Sequence, residues 1–144
     1  MPEQSYSNHT KTVPLFHFVL SLLIVVTFIG SLVNLYESLG DHSRLYSAAL
    51  ITAITVALMI MFWFIRIFPL KAQDRAIRAE ENLRHYVLTG KLLDPRLTIR
   101  QIIGLRFASD AEFPALAQRA AAENMTPAAI KQAVKSWRAD HDRL

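Results

Sequence analysis

The histidines and acidic residues are the side chains of this sequence that could hold a metal ion. A zinc site of the metalloprotease type needs two histidines one helical turn apart, and no pair of the five histidines has that spacing. The chain has no cysteine, which excludes thiolate ligands and disulfides. Asp140, His141 and Asp142 are consecutive, but neighbouring residues of a helix point in different directions. We therefore expect no metal site.

Catalysis and cofactor binding also lack a recognisable motif. The four glycines are too few and too dispersed for a phosphate-binding loop, and no serine lies in a nucleophile elbow. Glu80 and Glu81 are adjacent carboxylates, which on a helix more often serve as a solvated face than as an acid–base pair. We expect no catalytic residue, no cofactor and no small-molecule substrate, and hence not an enzyme.

Two long apolar runs dominate the first half of the chain. They are Val13–Tyr36 and Leu45–Phe68, and the short polar segment Glu37–Arg44 separates them. Each run exceeds the roughly 20 residues that a helix needs to cross a bilayer core. The sequence predicts two transmembrane helices, residues 13–36 and 45–68, that form a hairpin. Residues 1–12 are polar and predict a flexible leader that is retained.

The basic residues that flank the apolar runs predict an orientation. The connecting segment contains one lysine or arginine, Arg44. Lys11 and four further basic residues flank the other ends of the two runs. Because positive residues are retained in the cytoplasm, both termini should be cytoplasmic. The same four residues are our candidates for contact with the membrane surface: Arg66, Lys71, Arg75 and Arg78.

Small residues predict how the two apolar helices pack. Ala49, Ala53 and Ala57 recur at a spacing of four, and Ser31 and Asn34 share a face of the first helix. Small side chains let helix backbones approach closely in lipid, so we expect these five residues to form the contact. Asn34 and His17 are interpreted as structural polar residues rather than as a polar relay.

Residues 69–144 predict a cytoplasmic domain of about four helices, which makes the chain all-α. Pro69 should break or kink the second apolar helix, and a third helix should run from about Leu70 to a glycine cap at Gly90. Thr98 and Gln101 form a capping box for the next helix. The last helix should begin at Thr126. The predicted core, with Leu83 as a possible addition, comprises Ile103, Phe107, Phe113, Leu116, Ile130, Val134 and Trp137.

The third helix also has an apolar line at spacings of four and three. A line of this kind is either a helix-pairing seam or the side that faces the rest of the domain, and its short length favours the second. Acid-first pairs, including Glu80 with Arg84, should stabilise the solvated surface. The residues of the line are Ala72, Ala76, Ala79, Leu83 and Tyr86.

The sequence resembles an uncharacterised family of small bacterial inner-membrane proteins. Its segments NHTKTVPLFHFVL, LKAQDRAIRAEENLRHYVLTGKLLDPRLTIRQIIGLRFASDAEFPALAQRAA and IKQAVKSWRADH support this resemblance, which extends over the whole chain. The resemblance implies two N-terminal spans and a helical cytoplasmic tail. It implies no activity.

Two functional classes remain. The first is a membrane-anchored interaction protein or accessory subunit, whose tail docks a cytoplasmic partner or whose hairpin docks a larger membrane complex. The alternative is a membrane-tethered nucleic-acid-binding protein that uses the helices of 98–124 and 126–140 as a helix-turn-helix variant. Acidic residues are interspersed among the basic ones, and the net charge is only +4, which disfavours nucleic acid. Besides the lipid bilayer, we therefore expect a protein partner or homo-oligomer.

Overall fold

The computed structural model describes residues 5–6 and 12–140. In that part of the chain the only strand-like feature is an isolated antiparallel bridge between Ala108 and Trp137. The prediction of an all-helical protein is therefore confirmed. A π-helical segment, Leu15–Leu20, is followed by α1 (Ser21–Glu37), α2 (His42–Thr89), α3 (Ile99–Leu105), α4 (Phe113–Ala122) and α5 (Pro127–Ala133).

The sequence predicts that Pro69 breaks or kinks the helix; α2 continues through Pro69, so a break at this residue is wrong, whereas a kink stays a prediction. Proline removes only its own backbone donor and disfavours helical geometry in the residue before it. The helical hydrogen bonds on both sides outweigh this local cost. One helix of 48 residues therefore replaces the two helices that we predicted.

The chain divides into two compact units. The apolar unit comprises Thr12–Pro69, and the C-terminal unit contains the chain from Leu70 onward. The first part of α2 belongs to the apolar unit and its last part to the C-terminal unit. Most of the predicted leader, residues 1–12, lies outside the described residues.

The C-terminal unit has its own hydrophobic core. Of the predicted core residues, Phe107, Phe113, Leu116, Ile130 and Val134 are buried, and Ile103 and Trp137 pack against them partly buried. Leu83 is exposed and does not join the core. Buried residues that we did not place in the core include Ile77, Leu93, Leu97, Ile102 and Leu105.

Two local capping signals, at Thr98 and Gly90, are found where the sequence predicts them. Thr98 and Gln101 form the complete capping box of α3, and Gly90 has a φ of 74° immediately after α2. The Gln101 side chain also donates a hydrogen bond to the Met125 carbonyl at 2.9 Å. The capping box thus connects the start of α3 to the segment before α5.

The last helix is much shorter than predicted, because α5 ends at Ala133. Val134 is extended, and the chain that follows lies antiparallel to the segment after α3. The Arg138 N–H donates to the Phe107 carbonyl at 2.8 Å. The Glu112 carboxylate accepts hydrogen bonds from the backbone N–H groups of Ser109, Lys135 and Ser136. These tertiary bonds replace the helical bonds that the segment would otherwise form.

Candidate functional site

Helices α1 and α2 contact each other within the apolar unit through hydroxyl groups. Ser31 Oγ lies 3.1 Å from Thr55 Oγ1, and Thr52 Oγ1 donates to the Ser31 carbonyl at 3.2 Å. Near the start of the described chain, the rings of Phe16 and Phe62 stack with their centroids 4.8 Å apart. Hydroxyl groups that bond across helices satisfy polar atoms that lipid cannot hydrate.

The face of α2 in this contact is not the predicted alanine face. Ala48 and Thr55 are buried, whereas the three predicted alanines and Asn34 are exposed. Ala49 follows Ala48 by one residue and is therefore turned about 100° around the helix. On α2 the contact face consists of Ala48, Thr52 and Thr55. On α1 it includes Ser31, which belongs to the predicted set. The exposed alanines are Ala49, Ala53 and Ala57.

The His17 side chain contacts the backbone of its own segment of the chain. Its Nδ1 lies 2.9 Å from the Val13 carbonyl oxygen and 3.2 Å from the Val13 nitrogen. The imidazole thus bonds to the first turn of its own helical segment. This arrangement agrees with a structural role for His17.

The four candidate membrane-surface residues all lie along α2. Lys71, Arg75 and Arg78 are exposed, and Arg66 is half-buried. Lys71, Arg75 and Arg78 follow one another at spacings of four and three, so they share one side of the helix. Their contact with lipid headgroups stays a prediction.

A largely buried arginine, Arg84, connects α2 to the loop before α4. Arg84 Nη1 lies 3.0 Å from Glu81 Oε2, and its Nη2 donates to the Ala108 carbonyl at 2.7 Å. The same guanidinium reaches Asp110 at 2.6 Å and lies 4.4 Å from the centre of the Phe113 ring. The sequence predicts Glu80 as the partner of Arg84, but Arg84 contacts the next residue, Glu81, instead. Only the tertiary position of Asp110 and Ala108 makes Glu81 the better partner.

A cavity of about 330 Å³ opens beside this cluster and is lined by charged residues. Arg106 is 3.2 Å from Asp140, and Arg138 is 3.9 Å from Glu81. The cations that line the cavity therefore contact acids that also line it. Among residues 5–6 and 12–140, no group of three or more His, Cys, Asp or Glu residues could hold a metal ion.

The turn before α3 contains one perturbed carboxyl group. The Arg96 side chain donates to Asp94 at 2.7 Å, and the Arg96 N–H donates to the same carboxylate at 2.9 Å. Hydrogen bonds to the charged form stabilise it, so the pKa of Asp94 is lowered to about 2. The Arg96 side chain is exposed and that of Asp94 is half-buried, and we interpret the pair as a turn-stabilising interaction.

The last part of α2 has two different faces. Ile77 and Glu81 are buried, and Arg84 on the same side is 11% exposed and packs toward the core of the C-terminal unit. The predicted apolar line lies on the opposite side, and all five of its residues are exposed, so the prediction that it faces the rest of the domain is wrong. Its largest members, Leu83 and Tyr86, are 64% and 54% exposed.

Comparison with known proteins identifies a family. Neither the curated proteins nor the solved structures include a match to this chain. The model of a family of unknown function, DUF6526, matches residues 1–144 and thus the whole sequence. The chain therefore belongs to the DUF6526 family, whose function is unknown.

Proposed function

We propose that this protein is a membrane-anchored interaction protein of the bacterial inner membrane. Two helices, Leu15–Glu37 and His42–Thr89, are long and apolar enough to cross a bilayer. Only 6% and 11% of the residues in their most apolar windows are buried. A core helix of a soluble protein would bury most of such a window, so this exposure is the observation that carries the proposal.

In the proposed arrangement, residues 13–36 and 45–68 are a transmembrane hairpin. The contacts of Phe16 with Phe62 and of Ser31 with Thr55 follow the antiparallel order of a hairpin. The C-terminal unit then lies in the cytoplasm, because the basic residues Lys71, Arg75 and Arg78 follow the second span.

The C-terminal unit is the part that docks a protein partner. It has its own core, yet it leaves large apolar side chains of α2 exposed. Exposed apolar patches of this kind often mark interaction surfaces. We assign no catalytic residue, and the role of the unit is to bind.

A topology reporter tests the membrane arrangement. A reporter enzyme that is active only outside the cytoplasm should be inactive when fused after Leu144 and active when fused within Ser38–Ser43. The opposite pattern would contradict the proposed orientation. Activity at both positions would contradict the proposed hairpin.

Extraction in mild detergent tests the interaction role. The full-length protein should elute in a complex larger than its monomer, and the Leu83→Asp variant should lose that complex. The control is Asn82→Asp, which introduces the same negative charge at the preceding, half-buried position. A monomer under all conditions would contradict the proposal.

A further inference from the structure

We propose that the exposed face of α2 between Ala72 and Val87 pairs in parallel with the same face of a second copy of this chain. The inference rests on the proposed function, because one membrane must hold both copies in the same orientation. It goes further by naming the partner and its register. The face comprises Ala72, Ala76, Ala79, Leu83, Tyr86 and Val87, all of them exposed.

The spacing of this face is that of a two-stranded helical seam. Residues 72, 76, 79, 83 and 86 follow one another by four and three, which is the a/d pattern of a heptad repeat. The core of the C-terminal unit cannot cover them, since Ile77 and Glu81 direct the opposite side of α2 toward that core. The seam therefore needs a partner from outside the chain.

The charges beside the seam select a second copy and a parallel orientation. With Ala76 and Leu83 at a positions, Arg75 is a g residue and Glu80 is the following e residue. In a parallel pair the g residue of one helix lies beside the next e residue of the other, so Arg75 would meet Glu80 twice by symmetry. In an antiparallel pair g residues face g residues and e residues face e residues, so Arg75 would not meet Glu80.

Both charged residues are available for this pairing. Arg75 and Glu80 are exposed, and no ion pair within the described part of the chain includes either. Arg84, the expected partner of Glu80, contacts Glu81 and Asp110 instead, and Glu80 lines the charged cavity beside Glu81 without forming an ion pair there. The unused acid thus lies at the position where a second copy presents Arg75.

The seam covers only about two heptads, which is short for a dimer between free helices in water. Anchoring in one bilayer changes this balance, because two tethered copies meet at a raised effective concentration. The three alanines also permit close approach of the backbones. A tethered parallel pair is therefore the arrangement in which so short a seam suffices.

Cysteine cross-linking of the full-length protein in membranes tests the pairing. The chain contains no cysteine, so each variant has a single thiol. Ala79→Cys and Leu83→Cys should give a disulfide-linked dimer under mild oxidation, whereas the exposed control Arg78→Cys should not. Equal cross-linking at all three positions, or none at 79 and 83, would overturn the proposal.

Charge reversal in the Ala79→Cys background tests the register. Arg75→Glu or Glu80→Arg alone should slow cross-linking roughly fivefold, because two ion pairs become two like-charge contacts. The double variant should recover the original rate. Unchanged rates in both single variants, or no recovery in the double variant, would overturn the parallel register.

The outcomes separate this inference from the proposed function. Thiols at 79 and 83 that resist maleimide but do not cross-link would mean that lipid or another protein covers the face. That result would refute the second copy and leave the interaction role intact. A dimer combined with a reversed topology reporter would refute the proposed membrane arrangement but not the pairing.

Discussion

At the scale of single residues, Arg84 connects α2 with the segment that precedes α4. It contacts the buried carboxylate of Glu81, the Ala108 carbonyl and the Phe113 ring. Its bond to Asp110 adds little, because that side chain is 69% exposed. The buried contact with Glu81, which is 7% exposed, is the one that matters for stability.

We expect Arg84→Ala to destabilise the C-terminal unit by about 3 kcal/mol. Removing one partner of a buried ion pair leaves the other charge buried and poorly compensated. The thermal unfolding midpoint and the rate of limited proteolysis measure the effect. Arg78→Ala removes an exposed arginine of the same helix and should change neither quantity. Equal stability of the two variants would mean that Glu81 does not depend on Arg84.

At the scale of elements, the contact between α1 and α2 depends on one narrow face of α2. Ala48 is 1% exposed and lies one helical turn before Thr52. The pattern of alanines at a spacing of four indicates a neighbouring face instead. Side chains that bond across the contact, Thr52 and Thr55, decide which face turns inward.

We expect Ala48→Leu to destabilise the apolar unit by about 1–3 kcal/mol, because a larger side chain overpacks the contact. Ala53→Leu makes the same change at an exposed position and should be neutral. Thermal unfolding of the full-length protein in detergent compares the two. A larger effect of Ala53→Leu would restore the alanine face that the sequence pattern suggests.

The extended segment after α5 is the second element that only tertiary contacts explain. Trp137 packs partly buried, and its ring centroid lies 4.8 Å from that of Phe107. If the segment continued α5 as an isolated helix, Trp137 would lie near a helix end that is exposed to solvent. Hydrogen bonds to the chain after α3 hold them in the core instead.

We expect Trp137→Ala to cost about 3 kcal/mol, near the lower limit for a tryptophan because the ring is only partly buried. The C-terminal unit should then become sensitive to protease. Gln132→Ala, at an exposed position of α5, should stay resistant. If both variants resist equally, the ring contributes little to the core.

At the scale of the whole molecule, the basic residues that follow the second apolar run are the ones that we expect to bind the membrane surface. Each cation near an anionic surface contributes about 1 kcal/mol of attraction. We expect Lys71→Gln combined with Arg78→Gln to weaken the binding of a Leu70–Leu144 fragment to anionic vesicles by roughly thirtyfold, since two lost cations amount to about 2 kcal/mol. Raised salt should have the same effect.

The control for this measurement is Arg100→Gln combined with Arg119→Gln. It removes the same net charge from the C-terminal unit at exposed positions outside the predicted face. Equal losses in the two double variants would indicate attraction by net charge alone. No vesicle binding by the original fragment would contradict a role at the membrane surface for Lys71 and Arg78.

The sequence by itself determined the features that depend on neighbouring residues. Helical content follows from periodicity, the start of α3 follows from the Thr98 capping box, and the end of α2 follows from Gly90, which adopts a positive φ. The two long apolar helices follow from the length and composition of their runs. Each of these signals acts within one or two helical turns.

Only the tertiary structure decided which faces meet. A helix presents several candidate stripes, and a residue one position along is turned about 100°, so packing chose Ala48 over Ala49 and Glu81 over Glu80. Long-range hydrogen bonds likewise ended α5 at Ala133, and the burial of Ile77 and Glu81 on the other side of α2 left Leu83 exposed. These outcomes depend on contacts between residues more than 20 positions apart in the chain. A local sequence pattern does not indicate which of these residues lie close together in space.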